Sequence, residues 1–432
     1  MLQFYNIHTH IFTMRNAPRQ FLNLYMPDVA ANVIEKATNT KLGAWTIGNL
    51  LRYAGGNAGK RYASFLQIGK SMSQLDVFET LMAQYDDPNT KFAALTMYME
   101  KSGADFSESG FDGQLQEAME VKRRYPDNLL LFMGIDPRWK YSSTELRKTV
   151  QGYFEQKLTI NATRSVYPFV GLKIYPSMGF YAFDAKLKET FEWAADNGVP
   201  VISHCNYLGG IYTNDTSYIK GNLNPFDPYS NKVYNENFGS KPPVYYEEKN
   251  FLGKLLGIDD NNNNLRNCSY FLEPVSYRTM IEYFAKQPNP LKLSLAHYGG
   301  SDQILIEYRM QTMKKQQYGM LPTQNWCAQI KDLISIYPNV YTDISFALAN
   351  RDTHSFILDD LDSKVYGKRI MFGTDFFLTE REMPERKDVA LFKQNALTKR
   401  LTNYKNITAW EQIACHNIVE FLSSRFFDGS VL

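Results

Sequence analysis

The stretch YNIHTHIFT, residues 5–13, decides how the rest of the chain is read. A short strand, Gln3–Ile7, leads into two of the chain's six histidines, His8 and His10, set one residue apart. Side chains at i and i+2 of a strand share a face. Both imidazoles therefore point the same way from the strand's end. Paired imidazoles suit a divalent metal, and they call for further ligands from elsewhere in the chain.

Short apolar segments of the same kind recur downstream, at Ala93–Met99, Leu129–Ile135, Val170–Ile174, Val199–Ser203, Leu291–Ala296, Val340–Ile344 and Arg369–Gly373. With the first they make eight. Most are continuous rather than alternating, as expected of parallel strands covered on both faces. Helical patterns lie between several of them. GFDGQLQEAMEVKRRYP, residues 110–126, ends at a proline, and DAKLKETFEWAADNGVP, residues 184–200, opens at Asp184 as an N-cap and closes at Asn197-Gly198. Alternating strands and helices predict a parallel sheet, and eight repeats predict a distorted (β/α)8 TIM barrel.

Such a barrel takes about 250 residues, and the chain has 432. We expect a single domain over 1–432, with the surplus in insertions of about 11–90, after the first strand, and 206–270, after the fifth. LGAWTIGNLLRYAGG, residues 42–56, reads as helical. The second insertion is rich in Asn, Tyr, Gly and Pro, and its aromatics Tyr207, Tyr212, Tyr218 and Phe226 are candidates for a lid. Both insertions would emerge at the C-terminal face, where barrel enzymes carry their sites.

Bulk composition narrows the function classes. Basic and acidic residues number 47 and 45, for a net charge of +2, which offers no electrostatic case for nucleic acid. No apolar run is long enough to cross a membrane. The N-terminus lacks the charged and apolar regions of a signal peptide. The four cysteines, Cys205, Cys268, Cys327 and Cys415, lie far apart, so neither a disulfide framework nor a zinc knuckle fits. A cytoplasmic location is expected. Cys205 reads as a small buried thiol.

The ends of the predicted strands carry the chemistry. After the first come His8 and His10; within the fourth, VGLKIYPS (170–177), comes Lys173; PVISHCN (200–206) brings His204, LSLAHYGG (293–300) His297, and IMFGTDFF (370–377) Asp375. Four of the six histidines thus fall at strand ends. In a closed barrel His8, His10, His204 and Asp375 would converge on one point, leaving a coordination position open for water. A metal there would draw the pKa of that water down to about 7. Arg138, in DPRW (136–139), has the fork to bind a substrate carboxylate, and a structural ion pair is its other reading. Asp343 reads as a hydrogen-bond partner of a ligand. His354, in a polar loop, and His416, in a helix, read as structural.

These pieces together resemble the amidohydrolase superfamily, and most closely its amidohydrolase 2 branch of metal-dependent barrel hydrolases and decarboxylases. The resemblance runs from His8 to about Phe421. It rests on the HxH pair, GLK (171–173), SHCN (203–206), AHYGG (296–300), YTDIS (341–345), FGTD (372–375) and the closing ACHNIVEFL (414–422). It implies that His8, His10, His204 and Asp375 bind the metal, most commonly Zn²⁺. It implies that His297 is a catalytic group or a ligand of a second metal. A carboxylated lysine bridges two metals in binuclear members, and Lys173 stands at that position; in mononuclear relatives the same lysine is no bridge. One metal is therefore expected, two if Lys173 is carboxylated. The chain departs from the pattern at Asn6, where an Asp commonly precedes the pair, and at Phe376 and Phe377, near which a Pro is common.

The resemblance implies a hydrolase of a small molecule, cleaving an amide, ester or lactone with metal-activated water, Asp375 as base and His297 polarising the substrate. Two alternatives stand beside it. One is a non-oxidative decarboxylase of a small carboxylic acid using the same ligands. The other is a barrel that binds without catalysis. The expected partner is the small-molecule substrate, with neither nucleic acid nor a membrane, and a homo-oligomer is a fair prior for such enzymes.

Overall fold

The computed structural model describes residues 2–18, 73–102, 105–207, 226, 271–312, 325–376, 385–404 and 407–427. The expected helix at 42–56, the aromatics Tyr212 and Tyr218, Cys268 and most of both insertions lie outside the described residues.

Eight parallel strands form one sheet, taken in chain order as β1 (Tyr5–Thr9), β2 (Lys91–Leu95), β3 (Leu129–Ile135), β4 (Phe169–Ile174), β5 (Val201–Ser203), β6 (Leu293–Leu295), β7 (Val340–Asp343) and β8 (Ile370–Met371). Each pairs with the next. The segment after β8 returns to β1. Ile7 N donates to Phe372 O at 2.9 Å, His10 N to Phe376 O at 2.8 Å and Asp375 N to His8 O at 2.8 Å. First and last strands therefore meet, and the sheet closes into a TIM barrel. All eight segments expected as strands are strands. Their bounds differ by a few residues, except for β3, whose seven buried residues coincide with the apolar run LLLFMGI. A run with no polar interruption leaves no ambiguity about where burial ends.

Helices cover the outside: α1 (Gln74–Met82), α2 (Gly110–Arg124), α3 (Ser143–Glu155), α4 (Lys188–Asp196), α5 (Arg278–Ala285), α6 (Ser301–Thr312), α7 (Trp326–Ile336), α8 (His354–Leu361) and α9 (Glu385–Thr398). Local chemistry sets their starts. Ser73 and Asp76 form a capping box on α1, and Ser142 and Asn325 cap α3 and α7 through their side chains. Asp184 caps a 3₁₀ turn just before α4, accepting from Lys186 N. α1 lies inside the stretch expected as the first insertion, and its buried Val77, Phe78 and Leu81 join the core.

The barrel interior is packed by ring and backbone. Phe132 on β3 lies over Gly171 on β4, its register partner. A methyl group at Gly171 would come within 2.2 Å of that ring, so glycine makes room for it. His354 differs from its expectation. It opens α8 rather than lying in a loop, it is buried, and its Nε2 hydrogen-bonds Leu348 O at 2.8 Å. Cys205 is the buried thiol expected of it, with Sγ donating to Leu272 O.

Candidate metal centre

At the C-terminal end of the barrel, β1 carries His8, and His10 follows it directly. Lys173 lies in β4, and His204, His297 and Asp375 follow β5, β6 and β8. Asp343 ends β7. The site is thus assembled from six of the eight strands.

The proton positions follow from the partners. His8 Nδ1 lies 3.1 Å from Asp343 Oδ2, and His10 Nδ1 lies 3.1 Å from Leu95 O. A carboxylate and a carbonyl can only accept, so in both rings the proton is on Nδ1 and the Nε2 lone pair faces the barrel mouth. His297 Nδ1 lies 3.1 Å from Ser345 O, which places its proton there too. Its Nε2 must then accept, and it lies 2.9 Å from His204 Nδ1. That contact makes His204 Nδ1 the donor and leaves a lone pair on His204 Nε2. Two Nε2 atoms, on His8 and His204, thus carry lone pairs with no hydrogen-bond partner, while His10 Nε2 is turned to Asp375.

Asp375 sits among them. Its Oδ1 is 3.1 Å from His10 Nε2 and 3.5 Å from His8 Nε2. His8 Nε2, His204 Nε2 and Asp375 Oδ1 are buried with no hydrogen-bond partner. Acceptors facing one another at these distances repel unless a cation lies between them. His8, His10 and Asp375 form one group able to hold such a cation; His8, His297 and Asp343 form another. His204 is not in either group and joins the cluster through His297. The nitrogen and oxygen donors suit a borderline divalent ion. Among the described residues, the expected ligands His8, His10, His297 and Asp375 fall in these groups, while His204 and Lys173 do not.

Electrostatics point the same way. Burial holds the pKa of His8 down at about 3, against the opposing pull of Asp343 and Asp375. His204 is held well below the ordinary value by burial of its ring and by His297. Asp375 and Asp343 stay well below the usual carboxylate range because the surrounding histidines outweigh their burial. Lys173 is 2% exposed and its Nζ has no hydrogen-bond partner. Burial lowers it to about 8, opposed by Asp343 and Asp375. Arg138 is placed differently. Its guanidinium grips Asp136 with both arms, at 2.8 and 2.6 Å, and reaches Met178 O at 3.1 Å.

The backbone is strained where the chemistry gathers. His297 and Asp375 have φ of 67° and 62°, and Phe346, beside Ser345, has 61°. The left-handed region costs a residue with a Cβ about 1–2 kcal/mol. Such outliers persist where surrounding structure imposes them, and they gather at functional sites.

Sequence reasoning did not single out Ser345. Its Oγ donates to Asp343 Oδ1, and its lone pairs face His8 Nδ1 at 3.0 Å and His297 Nδ1 at 2.9 Å. One hydroxyl thus ties both rings to one carboxylate. The signal was present in YTDIS: Ser345 stands two residues after Asp343, in the turn that leaves β7, and its N–H and hydroxyl both reach Asp343 Oδ1.

Residues 81–402 match the family model Amidohydro_2, described as amidohydrolase. That span holds Lys173, His204, His297, Asp343 and Asp375, and His8 and His10 precede it. No curated protein matches the sequence. Among solved structures the chain is similar to a TIM-barrel protein from Bordetella bronchiseptica, at 13% identity over 98% of each chain and a TM-score of 0.45. It is similar to 5-carboxyvanillate decarboxylase from Novosphingobium aromaticivorans, complexed with manganese and 4-hydroxy-3-methoxy-5-nitrobenzoic acid (12% identity, 98% of this chain and 96% of that, TM-score 0.47). It is also similar to a probable 2-pyrone-4,6-dicarboxylic acid hydrolase from Acinetobacter baumannii with citric acid bound (9% identity, 97% and 98%, TM-score 0.47).

Proposed function

This chain belongs to the amidohydrolase family, and from that premise we propose that it is a metal-dependent hydrolase of small molecules, with His8, His10, His204 and Asp375 as the ligands of one divalent cation, Zn²⁺ in the first instance. The observation that carries the reading is the set of buried acceptors with no protein partner, His8 Nε2, His204 Nε2 and Asp375 Oδ1. Bound there, a divalent cation supplies Lewis acidity towards a water and a carbonyl oxygen.

The chain's own residues supply the rest. Asp375 offers a carboxylate oxygen to the proton of the attacking water. His297, held through Nδ1 by Ser345, polarises the substrate oxygen or steadies the leaving group. Lys173 faces a substrate carboxylate or, once carboxylated, a second cation. Arg138, engaged by Asp136, is assigned to the wall of the site rather than to substrate.

A metal count on the purified chain tests the proposal. One equivalent of a divalent ion, activity lost to a chelator and restored by the ion, is the expected result. Protein that takes up no divalent ion overturns it. The unpartnered amine of Lys173 favours one second reading, because a decarboxylase needs a group to receive its substrate's carboxylate. Release of CO₂ without incorporation of ¹⁸O from labelled water would select that reading over hydrolysis.

A further inference from the structure

Asn6, Tyr85, Thr374 and Glu385 meet beside the two strand ends that bear His8 and Asp375. Asn6 Nδ2 lies 2.7 Å from the Tyr85 hydroxyl and 2.8 Å from Thr374 Oγ1. Both hydroxyls reach one carboxylate oxygen, Glu385 Oε1, at 2.7 and 3.1 Å. Asn6 Oδ1 accepts from His8 N at 3.2 Å. This last bond orients the amide, since a backbone N–H only donates. The amide nitrogen therefore faces the hydroxyls, with one N–H for each. Each hydroxyl accepts from Asn6 and donates to Glu385, because a carboxylate only accepts. The ring has one sense, from amide through two hydroxyls to carboxylate. Asn6, Thr374 and Glu385 are buried.

We propose that Glu385 is a positioning residue for the metal centre and that Asn6 is its matched partner. The ring reaches His8 through its backbone N–H on β1, and Asp375 through the neighbouring Thr374 after β8. It thus braces two ligand-bearing segments from behind, on the side away from the contact of Asp375 Oδ1 with His10 Nε2. It also gives a physical reason for Asn6. A carboxylate at position 6 would face Glu385 across two hydroxyls whose two protons cannot serve both, inside a buried space. The proposal rests on the metal reading above.

The sense of the ring can be reversed, and that supplies the test. Zn²⁺ affinity of the full chain is measured by competition with a chromophoric chelator, alongside the thermal midpoint of the metal-free protein. Asn6→Asp and Glu385→Gln are each expected to weaken Zn²⁺ binding by about 10–100-fold. In the double variant Asn6→Asp/Glu385→Gln, an amide at 385 donates to both hydroxyls and a carboxylate at 6 accepts from both. Most of the lost affinity is expected to return. A double variant as weak as the worse single one overturns the proposal. So do single variants that bind Zn²⁺ like the wild type while only their midpoints fall, since that is a purely structural role. Should a single variant fail to fold, Tyr85→Phe removes one hydroxyl and leaves the carboxylate; unchanged Zn²⁺ affinity in it likewise overturns the proposal. Wild-type protein that binds no Zn²⁺ is a separate outcome, seen before any variant is made, and it overturns the metal reading and this inference together.

Discussion

Asp375 holds a carboxylate oxygen 3.1 Å from one imidazole nitrogen and 3.5 Å from another, each already committed to a proton on its far side. Its substitution is the sharpest test at the scale of the residue. Asp375→Asn keeps the shape and removes the charge, so turnover should fall by at least about 10²–10⁴-fold, the range of a general base alone. Circular dichroism should be unchanged; near-normal rates would remove Asp375 from the mechanism. Lys173→Met should leave one equivalent of metal if the lysine is no bridge, and should lower two equivalents to one if it is a carbamate. His8 makes a pH prediction for metal-free protein. Its pKa is about 3 in the fold against an ordinary 6.5. Below pH 6.5 the unfolded chain takes up a proton that the buried ring refuses, so stability must fall as the pH drops from 6.5 towards 3. The slope from this group approaches about 1.4 kcal/mol per pH unit. Asp343, also held low, pulls in the same direction, but only below its ordinary 3.8. Urea unfolding at pH 7, 6 and 5 measures the slope, and a flat profile would mean that His8 protonates within the fold.

Strands and their junctions set the distances that the residues use. β8 is short, and the segment after it must pass close to β1 and β7 to deliver Asp375. Gly373 permits that approach: a methyl group there would lie 2.8 Å from His8 Cβ and 3.2 Å from Ser345 Cβ. Gly373→Ala should therefore cost about 1–3 kcal/mol of stability, as overpacking does. It should also loosen metal binding, since the atom displaced belongs to His8, a ligand in the proposed site. Dialysis against a chelator, compared with wild type, measures the second effect. At this scale much was legible from sequence. Eight apolar runs announced eight strands, and the histidines of HTH, SHCN and AHYGG fell where strands end. The Asn6–Tyr85–Thr374–Glu385 ring was not legible. Its members lie up to 379 positions apart in the chain, and no periodicity relates a tyrosine after α1 to a glutamate that opens α9.

The whole molecule is a ring closed by its first and last strands, so its C-terminal segment has work beyond its own helix. Asn417, fully buried, donates to Gly367 O at 2.8 Å and Ile370 O at 2.6 Å, fastening the C-terminal helix Asn417–Leu422 to the entry of β8. Lys292 Nζ reaches Phe421 O and Ser423 O from the entry of β6. Asn417→Leu strands two carbonyls and should lower global stability by about 1–3 kcal/mol for each. Metal stoichiometry of the folded fraction should stay at the wild-type value, because Asn417 lies at the opposite end of the strands from the ligands. Thermal unfolding with a parallel metal count separates the two effects.

The amino-acid sequence by itself determined the number of strands, their parallel order and the residue types at their ends, because burial on both faces and the two-residue repeat of a strand are local properties. It placed His8 and His10 on one face without reference to anything else in the chain. What only the tertiary structure decided was which nitrogen of each ring carries the proton, that Ser345 joins His8 to His297, that Arg138 is held by Asp136, and that Asn6 answers to Glu385. Each of these depends on which acceptor lies within about 3 Å, and closure of the barrel, not distance along the chain, sets that neighbour.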